Sequence, residues 1–560
     1  MHPEVCGDRK ILNIKALSHM RFQNAKKTNS LGYLDPSSAV IPEECSRNSR
    51  LLVFRSALNH LYAPDCTIRL KHFAFLVIIT SVFTSCGIRK YSTTMEQMMT
   101  TETQDIMYTE KEIGEDIDYF IQSVEEVSPF PYMNADSVSI QKMAADLKSQ
   151  GDRKGNKLYV DFMRLAAAFN VGHIYTFPPE AMLDEALKNG HRFFPLFLKK
   201  NQGKWEVLGI IDQAIPEKHI GDEVISINGT EISEVINTLL PLVSDDGNSE
   251  QLIGVSLPFL LWAVNTSHPY SVKILNKETG MHEVLELQGT NNLNRYRSQK
   301  TGETDHKLDE FISFQLLDQS VGVINAKSFA FVQHKGITKA FDKELEKYFD
   351  MLKEKGVSNL IIDLRENGGG SSYPADAILR KIARKPYQTV GGSTMRVSRQ
   401  FAEFLESLPW VIQKMAKKGL MKDYDNYPVG TNIKEESKPS LPKQVRNSYT
   451  GQVYVLIGTN THSAAMIMAN AVEDFNLGIL VGQPTSSIPR ELSNALPLKT
   501  PHAKIAFIVP SSLYTRAIGD ANNFEPVNPH VLITAPEEST QRKQDLEMEY
   551  ILNRIASENK

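Results

Sequence analysis

Two apolar runs far apart in the chain share one pattern of hydrophobic and polar positions. Ser358 to Gly370, SNLIIDLRENGGG, and Val453 to Met466, VYVLIGTNTHSAAM, each begin with a β-branched stretch that predicts a buried strand. Each ends in a turn of small or polar residues, and in open α/β sheets ligands gather at such strand ends. The second run continues as Ala464 to Phe475, AAMIMANAVEDF, whose alanines and methionines predict a helix, so Ser463 falls where a strand turns into a helix N-terminus. Val321 to Phe329, VGVINAKSF, predicts a further strand, and Ile337 to Lys355 an amphipathic helix that leads into the first run.

Upstream, Glu110 to Phe169 predicts a helical region that closes in the turn Asn170 to Pro179, NVGHIYTFPP. Ile220 to Ile232, IGDEVISINGTEI, predicts a strand, a tight Asn228-Gly229 turn and a second strand, followed by an inserted helical stretch from Leu239 to Trp262. Gln400 to Val445 carries an apolar helical stretch and then a polar loop punctuated by proline. It reads as a lid over a cleft, as a subunit contact or as ordinary core. Glu537 to Lys560 is charged and helical, and the chain holds no repeats.

Chemistry enters at the two turns. At a helix N-terminus, free backbone N–H groups and the helix dipole stabilise an oxyanion, which suits Ser463 to a nucleophile; serine is equally a common helix cap. A capping box would place Glu or Gln three residues on, and Met466 stands there. Gly368, Gly369 and Gly370 allow a backbone to approach a ligand closely, or simply to turn. They are followed by Ser371-Ser372-Tyr373, so the lysine of a phosphate loop is missing. No HExxH and no Cys/His pairs at zinc spacing occur, which leaves a metallopeptidase without support.

IIDLRENGGG followed by THSAAM resembles the C-terminal processing peptidase and tricorn family of serine peptidases, over roughly Asp105 to Ala535. The resemblance implies a multidomain α/β (α+β) chain: an N-terminal helical region, a β-rich PDZ-like module and a ClpP/crotonase-like α/β peptidase core. It makes Ser463 the nucleophile and Ala464 with the Gly368-Gly369 turn the oxyanion hole. Ile488 stands where the processing-peptidase branch has its lysine, and Arg490 stays protonated, so a Ser-Lys dyad does not fit. The tricorn-like branch implies His173 as general base and Glu525 as its orienter, with Asp520 a rival. Val171, Gly172 and His530 depart from that branch's pattern. His462, His502 and His530 are the other histidines near the motifs. The expected activity is hydrolysis of peptides or unfolded proteins through an acyl-enzyme, without a cofactor or metal. The family fold also occurs in retinoid-binding proteins of the eye, so a non-catalytic peptide- or ligand-binding protein stays open.

The chain has 560 residues and a formal charge of −4, with eleven Lys and Arg against six Asp and Glu in Met1 to Ser85. The remainder is therefore acidic, and nothing suggests nucleic acid. All four cysteines, Cys6, Cys45, Cys66 and Cys86, fall in this leader or at its end, so the body needs no disulfide. Arg69 to Cys86, RLKHFAFLVIITSVFTSC, has a basic start, a short apolar stretch and a small-residue approach to cysteine, the make-up of an export signal. FTSC-Gly resembles a bacterial lipobox, which implies lipidation at Cys86 and a membrane-anchored place in the cell envelope of a Gram-negative bacterium. Such a signal belongs at the extreme N-terminus, so translation is expected to start at Leu70. The expected organisation is 1–69 extension, 70–86 signal, 87–190 helical region and 191–300 PDZ-like module. The peptidase core follows over 305–540, with an insertion at about 391–445, and 541–560 is a charged helix.

Overall fold

Helix α1 (Glu110–Val127) starts at a capping box: Thr109 Oγ1 accepts from Glu112 N, and Glu112 Oε2 accepts from Thr109 N. It is preceded by strand β1 (Met107–Tyr108), which pairs antiparallel with β2 (Arg153–Lys154). Helix α2 (Ser137–Lys148) is capped by Asp136, and α3 (Gly155–Ala167) completes the region predicted to be helical. Buried Ile113, Ile117, Phe120 and Val124 of α1, and Leu158, Phe162 and Leu165 of α3, recur at the three- and four-residue spacing of one helical face. The structure, a computed structural model, describes residues 106–558 except 178–179, 202, 213, 245–248, 267, 293–307, 318–319, 331–336, 408–409, 411–412, 415–423, 443–445, 520–524 and 535–544. The leader with Cys86, and Asp520, lie outside the described residues.

After β3 (Tyr175–Thr176) and α4 (Glu180–Lys188) comes an antiparallel sheet of β4 (Leu196–Asn201), β5 (Lys204–Ile210), β6 (Glu223–Ile227), β7 (Thr230–Glu231), β8 (Tyr270–Leu275) and β9 (His282–Leu287). The order is β4-β5-β6-β8-β9, with β7 folded back on β6. Asn228 (φ 51°) and Gly229 (φ 80°) form the β6–β7 turn, and the left-handed conformation of both is what an Asn-Gly hairpin requires. Helices α5 (Ile232–Leu239) and α6 (Ser249–Ala263) cover this sheet, burying Leu257, Leu260 and Leu261 against Leu198, Val224 and Tyr270.

The remaining strands are β10 (Ile312–Leu316), β11 (Val321–Ala326), β12 (Asn359–Asp363), β13 (Gly392–Arg396), β14 (Asn432–Glu436), β15 (Gln452–Ile457), β16 (Ile479–Gly482), β17 (Glu491–Lys499), β18 (Ala506–Thr515) and β19 (Val531–Leu532). Between and after them lie helices α7 (Ile337–Glu354), α8 (Ser372–Ile382), α9 (Arg399–Ser407), α10 (Ala464–Phe475) and α11 (Leu546–Glu558). One sheet runs β10-β11-β12-β15-β16-β19 and is parallel apart from β10. Parallel strands are covered on both faces, which is why β12 and β15 read as unbroken apolar runs rather than as alternation. Helices α7, α8 and α10 fill one face. The C-terminal helix covers the other, with Ile551 and Ile555 against Val323, Ile361, Tyr454 and Leu456. Arg365 pins the start of that helix: its guanidinium lies 2.7 Å from both Asp363 Oδ2 and Asp545 Oδ1. Ile551→Ala is expected to cost about 2–5 kcal/mol, measurable as a lower thermal midpoint.

A second, antiparallel sheet runs β14-β13-β18-β17, and β3 adds to β18 through Thr176 opposite Phe507. Its core is shared with α1–α3: Phe507 and Val509 pack with Phe120, Phe162 and Phe169, and the Phe120 and Phe507 rings are 4.8 Å apart. Asp116, fully buried on α1, accepts from the N–H groups of His502 and Ala503 in the β17–β18 loop. In the described part of the insertion, β13 and β14 are ladder strands, and Phe401 and Leu405 of α9 are buried in this same core.

Candidate active site

Ser463 sits at the N-terminus of α10 with φ 49° and ψ −121°, a conformation that residues with side chains seldom adopt. Holding it there stores about 1–3 kcal/mol, so its surroundings must over-determine it. Thr461, fully buried, donates its hydroxyl to Leu364 O (2.8 Å) and accepts from Gly458 N (3.0 Å). The His462 N–H donates to Asn367 O at 3.0 Å. Ser463 does not cap its helix: no side-chain cap bond forms, and its Oγ is hydrogen-bonded to no described residue. The hydroxyl is left for other work, at a terminus where the Ala464 N–H is also without a partner among the described residues.

The glycine turn closes onto this point. Asn367, fully buried, donates Nδ2 to Ala326 O (2.8 Å) and accepts at Oδ1 from Gly369 N (2.9 Å). It therefore ties the end of β11, the glycine turn and, through its carbonyl, the Ser463 turn into one bracket. Gly369 has φ 93°, and a Cβ built there would lie 2.7 Å from Ser463 Cβ, 2.8 Å from His462 O and 3.1 Å from Ala464 N. No side chain fits between these two turns. The two glycines read as one oxyanion donor are thereby distinguished. Gly369 N–H is engaged by Asn367, whereas exposed Gly368 keeps an N–H without a partner among the described residues.

His173 lies in the turn after α3, three residues past Asn170, whose φ is 53°. Its Nδ1 is 3.4 Å from Glu491 Oε1, both atoms are buried, and the two side chains are 25% and 12% exposed. Glu491 opens β17 and was not singled out from the sequence, since no local motif marks it. Glu525, the residue proposed there by resemblance, is exposed on the segment leading to β19. Glu491 stands opposite Tyr514 in the β17–β18 ladder. Burial, and then the Glu491 charge, push the Tyr514 hydroxyl up to about 12, so it stays protonated beside the carboxylate. Two other histidines take structural roles: His502 Nε2 lies 2.6 Å from Glu115 Oε2, and His530 Nδ1 accepts from Leu480 N at 2.8 Å. Burial lowers the pKa of His530, in keeping with that acceptor role.

Residues 320–532, which contain both turns as well as Glu491 and Glu525, match the family model for peptidase family S41. The chain carries an S41 peptidase domain. The S41 assignment makes it a serine-type peptidase, and His173 lies outside the matched residues. Among solved structures, a serine-to-alanine mutant of CPAF is 14% identical, with a TM-score of 0.56 over 77% of this chain and 94% of that one. Mature CPAF complexed with lactacystin is 14% identical, with a TM-score of 0.53 over 80% of this chain and 97% of that one. At that identity these structures show that the S41 domain and the elements around it share a fold with CPAF. No curated protein sequence matches the chain.

Proposed function

We propose that this S41 peptidase is an endopeptidase acting on peptides or unfolded proteins through an acyl-enzyme, with Ser463 as nucleophile and His173 as base. The observation that carries the reading is the closure of the glycine turn on a strained serine that caps nothing. Because Nδ1 of His173 faces Glu491, Nε2 is the nitrogen left to take the Ser463 proton. As Oγ attacks the scissile carbonyl carbon, that proton moves to Nε2. The carbonyl oxygen, now negative, is held by the N–H groups of Ala464 and Gly368, and the amine leaves with the proton. Water then repeats the cycle on the ester. Each oxyanion donor contributes on the order of 3 kcal/mol.

In this reading Glu491 holds the imidazole in the productive tautomer. Glu491→Gln is expected to slow peptide hydrolysis roughly 10²- to 10⁴-fold, and Glu525→Gln to slow it far less. The reverse ranking would return the role to Glu525. The function itself is tested by fluorophosphonate labelling and peptide-library cleavage: a wild-type protein that neither labels nor cuts between pH 5 and 9 would sink it. The same proposal includes a lipid anchor at Cys86 and an envelope location, supported by the FTSC-Gly sequence after a short apolar stretch. It also includes a peptide-feeding role for the β4–β9 sheet, supported by its GDEVISING hairpin.

A further inference from the structure

The two halves of the proposed site stand on different sheets. Ser463, Ala464 and Gly368 follow β15 and β12 of the parallel sheet, whereas His173 and Glu491 belong to the antiparallel one through β3 and β17. Proton transfer needs heavy atoms within about 3 Å, so the sheets must be held in register at this place.

The bend after β18 makes the connection. Arg516 is 5% exposed and donates Nε to Asp474 Oδ1 at 3.0 Å and Nη2 to Glu473 Oε2 at 2.5 Å. Next to it, Ala517 N donates to Asn470 Oδ1 (2.9 Å) and Ile518 N to Asp474 Oδ2 (3.1 Å). Asn470 Nδ2 donates to Asp474 Oδ2 at 2.9 Å, so the acceptors brace one another. All three lie on α10, the helix that Ser463 begins. From the other side the bend is clasped by Gly391 N on Thr515 O (3.0 Å) and Gln388 Nε2 on Ala517 O (2.6 Å). Two residues before Arg516, Tyr514 faces Glu491.

We infer that Arg516 is a positioning residue for the peptidase reaction: with Asn470 it locks α10 to the β17–β18 hairpin and so holds His173 and Glu491 in register with Ser463. The choice of groups supports geometry over stability. A buried ion pair contributes little net stability compared with well-packed apolar side chains, whereas a guanidinium fork shared by two carboxylates fixes direction as well as distance. The inference rests on the assignment of Ser463 and His173.

The test is inactivation by a fluorophosphonate, resolved into apparent affinity and maximal rate, for wild type, Arg516→Gln, Arg516→Lys, Asn470→Ala and His173→Ala, with thermal midpoints alongside. Arg516→Gln is expected to lower the maximal rate about 10- to 100-fold with affinity unchanged to within about twofold. Arg516→Lys should restore part of the rate, and Asn470→Ala should lower it in the same sense. Where Arg516→Gln fails to fold, Asn470→Ala, which leaves both ion pairs of Arg516 in place, decides. Wild-type rates in folded Arg516→Gln or Asn470→Ala, while His173→Ala is inert, would overturn the positioning role and leave the catalytic assignment intact. Wild-type inertness, or full labelling of His173→Ala, would overturn the assignment and the inference with it.

Discussion

Ser463→Ala is expected to abolish fluorophosphonate labelling and to lower peptide hydrolysis on the order of 10⁴-fold or more. His173→Ala should do nearly as much, and the double variant no worse, because nucleophile and base act as one unit. What makes the serine informative is its backbone. At φ 49° and ψ −121° it stores about 1–3 kcal/mol, which alanine would inherit and glycine would relieve. Ser463→Gly should therefore be as inactive as Ser463→Ala and yet have the higher thermal midpoint, near or above that of wild type. A stability gained by deleting the nucleophile is what a site strained for function produces. If Ser463→Gly melted well below Ser463→Ala, the strain argument would fail, whatever the activities.

Gly369→Ala should be the second most damaging single change. The added methyl would meet Ser463 Cβ at 2.7 Å and His462 O at 2.8 Å, at a φ of 93° that already disfavours a side chain. The Ser463 turn cannot retreat, since Thr461 and Asn367 hold it from both flanks. The expected result is a loss of kcat on the order of 10²- to 10³-fold, the size of a displaced oxyanion donor, in a protein that still folds. Gly368→Ala supplies the control. A Cβ there meets nothing within 4 Å, and the N–H proposed as an oxyanion donor is kept, so activity should change by less than about threefold. Equal losses in the two variants would remove the distinction between the glycines.

The sequence made legible whatever is decided over a short stretch. The apolar runs of β12 and β15 announce a sheet covered on both faces, Asn228-Gly229 announces its hairpin, and the Gly368–Gly370 and Ser463 turns carry their own chemistry. Glu491 was not legible because one carboxylate at a strand start has no local mark; only the pairing of β3 and β17 with the two edges of β18 brings it to His173. Asn367 lay inside a motif already noticed, but its three-way bracket depends on β11 and the Ser463 turn arriving beside it. The last helix read as charged, and so it is on one side. Its few apolar residues, Ile551 and Ile555, gain meaning only from the bare sheet face they close.

The core beside the proposed base, His173, joins the first described helices to strands near the far end of the chain, with Phe120 and Phe162 of α1 and α3 closing on Phe507 of β18. A ribosome adding roughly 5–20 residues per second makes α1–α3 tens of seconds before it makes their partner. During that interval the nascent chain has no docked His173 and no finished Ser463 turn. On the proposed assignment of Ser463 and His173, a chain gains its activity only once almost all of it has been made and folded, so the order of synthesis acts as a built-in delay.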